Sequence, residues 1–250
     1  MVADPSRYHS AALSRPHQGF PAGNRPPPDV KLRHMSWAGQ GGFERRGYHH
    51  GNLREALVEA ATALIAEKGP AGFTIAEAAR LAGVSPAAPY RHFRDAEALL
   101  AEVALRGLDR FAAVLSSAWN DGRPDPLRAF EAIGSAYLAF ARNEPAHYAA
   151  MFEARISFDA YPALLSAGDR AFAVLRQAAD RLAAALPRDR RPPSLMIALH
   201  VWGMAHGIAA LFVRGGPSRR KLPMSPEELL EAGVLVYLQG LGLAGGKTAQ

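Results

Sequence analysis

Polar residues able to do chemistry crowd into one stretch of this 250-residue chain. Thr74-Ile75-Ala76-Glu77 is a T-x-x-E capping box, in which the Thr74 hydroxyl meets a free helix N–H and Glu77 reaches back to the cap amide. Ser85-Pro86 offers a second helix start, with Ser85 as N-cap and Pro86 at the first helical position. Tyr90, Arg91 and His92 then close the segment with hydrogen-bond donors. Between the two starts, Gly83 in Ala82-Gly83-Val84 supplies the left-handed position that ends a short helix. Two short helices about a glycine turn have helix-turn-helix spacing, which sets the second helix across the first and exposes its N-terminal face. Pro89 falls at the fourth helical position, so the spacing predicts a loosened first turn rather than a broken helix.

Two smaller groups stand apart. Arg45, Arg46, His49 and His50 precede the first helix and read either as a solvated tail or as an arm against nucleic-acid backbone or minor groove. Adjacent histidines do not converge on one helix face, so no metal site is expected there. Trp202 and His206 stand at i, i+4 on one face, either as packing around a satisfied histidine or as part of a ligand pocket. Enzymatic chemistry needs a nucleophile, a metal constellation or convergent acids. None is evident, so no catalytic residue and no cofactor is expected.

The elements that must position these groups are helical. Leu53, Leu57, Ala60, Ala61, Leu64 and Ile65 recur at three- and four-residue steps, giving a first helix over 52–68 with Asn52 as cap, Glu55 as its partner and Gly69-Pro70 as its end. Asp95 caps a long helix along Leu99, Val103, Leu108, Phe111 and Leu115. Further helices are expected over 126–143, 145–155, 162–186, 194–213 and 226–242, the last opened by the S-x-x-E box at Ser225. No segment shows the period-2 alternation of a strand, so the fold class is all-α with about nine helices, a three-helix helix-turn-helix unit followed by a larger helical body. The segment 194–213 carries no charge and approaches membrane-span length, but two histidines, two glycines and an amphipathic neighbour suit a helix buried in protein. No membrane partner is expected. Residues 214–221, RGGPSRRK, read as a flexible basic loop.

Composition narrows the classes further. There is no cysteine, hence no disulfide framework and no thiolate nucleophile, and the first twenty residues lack the continuous apolar run of about seven that a signal peptide needs. A cytoplasmic setting is the expectation. Of the net charge of +6, residues 1–50 supply +4, so the basic character belongs mainly to a tail. With six prolines and no hydrophobic period, residues 1–46 are expected to be disordered, and Met35 is a second candidate initiator.

The run from Thr74 to Phe93, TIAEAARLAGVSPAAPYRHF, resembles the helix-turn-helix signature of the TetR/AcrR family of transcriptional regulators. Gly47-Tyr48-His49-His50-Gly51-Asn52-Leu53-Arg54 resembles the segment leading into the first helix in one subgroup. Trp202 and His206-Gly207 resemble that subgroup's C-terminal "WHG" ligand-binding domain. The resemblance implies DNA phosphate contacts from Thr74, Tyr90 and His92, and base edges facing Ser85, Pro86, Ala87, Ala88 and Arg91. An arginine can reach guanine bidentately and small apolar side chains can touch a thymine methyl. The family commonly has lysine where Ala96 stands, which leaves Arg94 as the nearest substitute.

The implied organisation is a tail over 1–46, a DNA-binding domain over 47–97, an effector and dimerisation domain over 98–243 and a flexible C-terminus over 244–250. The implied activity is a homodimeric repressor on double-stranded, palindromic operator DNA, released by a small-molecule effector. Dimerisation is expected through the last two helices, with Leu230 and Val234 in the seam. Trp202, His206, Met204, Phe140, Tyr137 and Met151 are the expected effector lining. The rival reading is a non-sequence-specific nucleic-acid-binding or scaffold protein using the basic tail.

Overall fold

Four helix starts in this chain are fixed by side chains that satisfy free amides, Thr74, Asp95, Asp125 and Ser225, and the computed structural model shows each helix beginning at its cap. It describes residues 53–213 and 223–243. All of these lie in one compact unit, Tyr48–Gln250. The tail 1–46, Arg45, Arg46, His49, His50, Asn52, the basic loop 214–221 and the C-terminus 244–250 lie wholly or almost wholly outside the described residues.

Among the described residues there are eight α-helices and no strand. They are α1 (Leu53–Lys68), α2 (Ile75–Leu81), α3 (Ala96–Trp119), α4 (Pro126–Asn143), α5 (Pro145–Phe152), α6 (Pro162–Ala183), α7 (Ser194–Ile208) and α8 (Pro226–Gly240). Asp95 caps α3 by accepting from Ala98 N at 2.8 Å, Asp125 caps α4, and Ser225 with Glu228 forms the expected box on α8. At the end of α1, Gly69 takes a positive φ of 76°. The ninth expected helix, starting at Ser85, is instead a short 3-10 helix, Ala88–Arg91.

The long α3 is the axis, packing on α1, α4, α5 and α6, while α7 lies between α6 and α8. Leu57, Leu99, Leu138, Ile197 and Leu238 are 0% exposed. Truncating any one of them to alanine costs about 2–5 kcal/mol, because the close-packed surroundings cannot collapse fully into the gap.

Two expectations about the last helices need correction. Leu230 and Val234 are not on an outer seam: they are 3% and 5% exposed. Leu230 packs over Gly134 of α4, where a Cβ would come within 3.1 Å of it. The apolar residues left outside are Leu195, Leu199 and Leu211 on the α7 side, with Leu235 and Val236 on α8. Accordingly, the 194–213 segment is not enclosed on all sides. By length and composition it could cross a bilayer, with 33% of it buried. Ile197, Ala198, Val201 and Ala205 face the interior, and the helix widens into a π turn over Ala209–Val213.

Candidate DNA interface and ligand cavity

The reading segment is built on a capped helix. Thr74 Oγ1 accepts from Glu77 N at 3.2 Å, Thr74 N donates to Glu77 Oε2 at 3.0 Å, and Lys68 Nζ ties Glu77 back to α1 at 2.7 Å. The Thr74 hydroxyl lies 3.0 Å from the same Glu77 oxygen and donates its proton there, so a phosphate must exchange for that bond before Thr74 can donate to it. At the far end of α2, Gly83 at φ 72° lets Val84 N reach Ala79 O and Gly83 N reach Arg80 O, a Schellman closure that turns the chain toward Ser85.

From Ser85 onward the expected α-helix fails, and Pro89 is the reason. It has no N–H to donate, and in α geometry its ring would strike the carbonyl of Ser85 one turn back. The chain closes instead through Ala88 N to Ser85 O at 3.0 Å and His92 N to Pro89 O at 2.9 Å. Pro89 itself is fully buried. Ser85, Pro86, Ala87, Tyr90, Arg91 and His92 are exposed together, with Ala88 half-buried. Tyr90 is 58% exposed whereas Phe93 is 4% exposed, so the aromatic that anchors the segment is Phe93. Arg94 turns to Asp95 at 2.7 Å with its side chain 76% exposed, beside the uncharged Ala96.

An ion-pair chain that spacing alone did not reveal holds this segment to α3. The Arg54 guanidinium lies 5.3 Å over the Phe93 ring and donates to both oxygens of Glu102, at 2.8 and 2.6 Å. Glu102 also receives Arg106 at 3.0 Å, and Arg106 reaches Glu55. Burial opposes ionisation of Glu102, but the two arginines outweigh it and hold the carboxyl below its ordinary range. The sequence signal was present only as charges at helical spacing on α1 and α3; which faces meet is decided by packing.

The second site lies inside the bundle. Phe111 and Leu115 of α3, Ile133 and Tyr137 of α4, Phe172 of α6 and Trp202 of α7 are among the residues surrounding a space of about 20 Å³, room for a single water. Phe172 and Trp202 close one side with ring centroids 4.9 Å apart. The Tyr137 hydroxyl lies 2.9 Å from His206 Nδ1, and the Tyr148 hydroxyl 3.1 Å from the same atom. Burial lowers the His206 pKa, against a weaker pull upward from Glu153, and pushes the Tyr137 phenol above its ordinary range. The polar groups at this wall are therefore neutral at neutral pH.

Of the six residues expected to line a pocket, the structure brings Tyr137 and Trp202 to the cavity, with His206 behind Tyr137. Phe140 is turned away, packed 5.0 Å from Phe111 between ring centroids. Met151 borders a separate small space with Leu108 and Leu164, and the Met204 sulfur points toward Gly233 of α8. Helix faces alone misplaced these three, because each faces a different neighbour. Tyr148 and Phe172 were missed; Phe172 had a signal, being the sole aromatic in the α6 sequence.

A capped helix-turn-helix with an exposed reading segment, joined to a helical body with an internal cavity, defines a DNA-binding regulator. Residues 57–103 match the family model for bacterial regulatory proteins of the tetR family, and residues 130–237 match the tetracyclin repressor-like C-terminal domain. The chain belongs to the TetR family of transcriptional regulators, DNA-binding proteins whose members dimerise and respond to small molecules. It is 27% identical over 100 residues to an uncharacterized HTH-type transcriptional regulator, YobS, of Bacillus subtilis, covering 40% of this chain and 51% of that one. The chain thus matches about half the length of that curated relative. A protein of unknown function from Rhodococcus sp. RHA1 is 29% identical with a TM-score of 0.65, covering 78% of this chain and 98% of that one. AibR, in complex with isovaleryl coenzyme A and operator DNA, shares the fold at 20% identity and a TM-score of 0.58, covering 74% and 97% respectively.

Proposed function

We propose that this chain is a homodimeric repressor that holds a palindromic operator and releases it when a small molecule enters the α3–α4–α6–α7 cavity. The observation that carries the reading is the joint exposure of Ser85, Pro86, Ala87, Tyr90, Arg91 and His92 on a turn whose anchors, Pro89 and Phe93, are buried. In this reading Arg91 pairs with a guanine, Ser85, Pro86, Ala87 and Ala88 face base edges, and Thr74, Tyr90 and His92 meet phosphates. Arg45 and Arg46, outside the described residues, would add backbone contacts. The DNA-binding domain is 47–97 and the effector and dimerisation domain 98–243, with α3 running from one into the other. AibR, solved with both a ligand and operator DNA, supports a regulator of this fold serving both partners.

Two copies meet through Leu195, Leu199, Leu235 and Val236, an apolar face whose enclosure favours an isologous four-helix seam. Release follows from linkage: an effector that binds the DNA-incompetent spacing of the two reading segments more tightly draws the population toward it. The test is a footprint of the purified protein on the DNA upstream of its own gene, with sequence competition at fixed salt. A protected palindrome is the expected result. Protection with no sequence preference would instead make the chain a non-specific nucleic-acid binder.

A further inference from the structure

A groove separate from the internal cavity runs where α1 meets the start of α5, with α3 at its base. It holds about 450 Å³, within the range of small-molecule sites. Val58, Ala63 and Ala66 of α1 face Pro145 and Ala146 of α5 across it, so much of its wall is apolar. His147 lines it too, although at 5% exposed it is almost wholly buried.

The His147 Nδ1 atom lies 2.8 Å from Glu144 Oε2. A carboxylate only accepts, so Nδ1 carries the proton, and the neutral ring keeps a bare lone pair on Nε2. That nitrogen has no hydrogen-bond partner among the described residues, yet it is not sealed in the interior, and the groove is what it opens to. A buried acceptor so placed is satisfied by a donor lying in the groove.

The charges around the groove say what kind of donor fits. Arg106 is held by Glu55 and by Glu102, and Arg110 reaches Glu144 at 3.4 Å. Both guanidiniums are thus committed to carboxylates, and an anion would have to draw one of them away. Glu59 is exposed on the α1 wall one turn after Glu55 and has no ion-pair partner among the described residues. The groove is left with one uncompensated carboxylate on the α1 side and one open acceptor on the α5 side.

We infer that the groove binds a primary ammonium carried on a short apolar chain, with the ammonium donating to His147 Nε2 and pairing with Glu59 while the chain lies against Val58, Ala63 and Pro145. An ammonium has three donors and no acceptor, which suits acceptors on two facing walls. The occupant touches both α1, which precedes the reading segment, and α5 of the helical body.

The test uses the full chain and three probes of one length, hexylammonium, hexanoate and 1-hexanol, titrated calorimetrically at about pH 8, above the ordinary imidazole range. Hexylammonium is expected to bind at least about tenfold more tightly than hexanoate, because Glu59 attracts the one and repels the other. Glu59→Gln should weaken the ammonium about threefold, the size of an exposed ion pair, and leave 1-hexanol unchanged. Ala63→Leu, which crowds the apolar wall without touching a polar group, should weaken the ammonium as well. Both residues are exposed on α1, so neither change threatens the fold. In nitrogen NMR of the histidine-labelled chain, the His147 Nε2 resonance should move as hexylammonium is added while the His206 resonances stay. Equal or tighter binding of hexanoate overturns the inference, as does no hexylammonium binding at millimolar concentration. Undiminished binding in both variants, or movement of His206 in place of His147, puts the ammonium elsewhere and overturns it too.

Discussion

The reading segment and the cavity sit at opposite extremes of how a fold can hold functional groups. Around Ser85–His92 the fastening is charged and close to water: a capping box, Lys68 on Glu77, and Arg54 bridging Phe93 to Glu102. Around Tyr137 it is neutral and buried, with aromatic rings and a histidine whose charge burial disfavours. The contrast predicts different sensitivities. Operator affinity should fall steeply with salt, by a log–log slope of about −0.9 per phosphate contact, while occupancy of the cavity should be flat in salt. A cavity ligand whose affinity tracks ionic strength would break the contrast.

The largest effect should come from the surface that would join two copies. Leu199→Arg with Val236→Arg places charge on the exposed apolar face, and light scattering should then report monomers. Palindromic-site affinity should drop by about 100-fold or more, since each half-site would bind alone without effective concentration from its partner. A variant that stays dimeric with full affinity moves the seam elsewhere. Leu230→Arg is the contrasting control: buried against α4, it should unfold the chain rather than separate copies.

Next in size are the base contacts. Arg91→Ala should cost about 1–3 kcal/mol at one base position and flatten preference there, whereas His92→Ala should weaken all sequences alike. Operator mutants titrated at fixed salt would separate the two, and an unchanged base profile in Arg91→Ala would remove it as a reader. Arg54→Ala should cost less, about threefold in operator affinity with base preference retained, because it loosens Phe93 from Glu102 without touching DNA. Loss of base preference in that variant would make Arg54 a DNA contact.

The smallest effect is one of pH. Burial lowers the His206 pKa below its unfolded value of 6.5, so the stability tied to neutral His206 is full above that value and is lost as pH falls below it. Melting midpoints compared at about pH 7.5 and about pH 5.5 should fall less in His206→Gln than in the native chain. The carboxylates held down by arginines, Glu55 and Glu102, lose their contribution only on further acidification, below their ordinary 4.5.

What could be read from sequence follows from the range of each interaction. The capping boxes at Thr74 and Ser225, the Asp95 cap and the Gly83 turn involve residues within five positions, and each formed as its spacing predicts. The register of one helix on another is set by packing across tens of residues, and there the reading failed. Leu230 and Val234 have the right periodicity for an outer seam and for an inner one, and only Gly134 opposite shows which. Met151, Met204 and Phe140 are apolar helix residues whose neighbours no local pattern names. At Pro89 the local rule was right but underweighted: one missing N–H and one ring clash were enough to replace a helix by a turn.

That turn has a consequence for how such a regulator changes over generations. Ser85, Pro86 and Ala87 are outside the eight helices, exposed, and absent from the buried core, so replacing Ser85 or Ala87 shifts stability by about 0.5 kcal/mol, and replacing Pro86 by about 1 kcal/mol through the unfolded chain's entropy. The residues that fix the shape, Pro89 and Phe93, are different ones from those that face outward. Sequence preference can therefore drift at three neighbouring positions while the scaffold stays under selection for folding alone, and a gene duplicate could acquire a new operator before it lost its old fold.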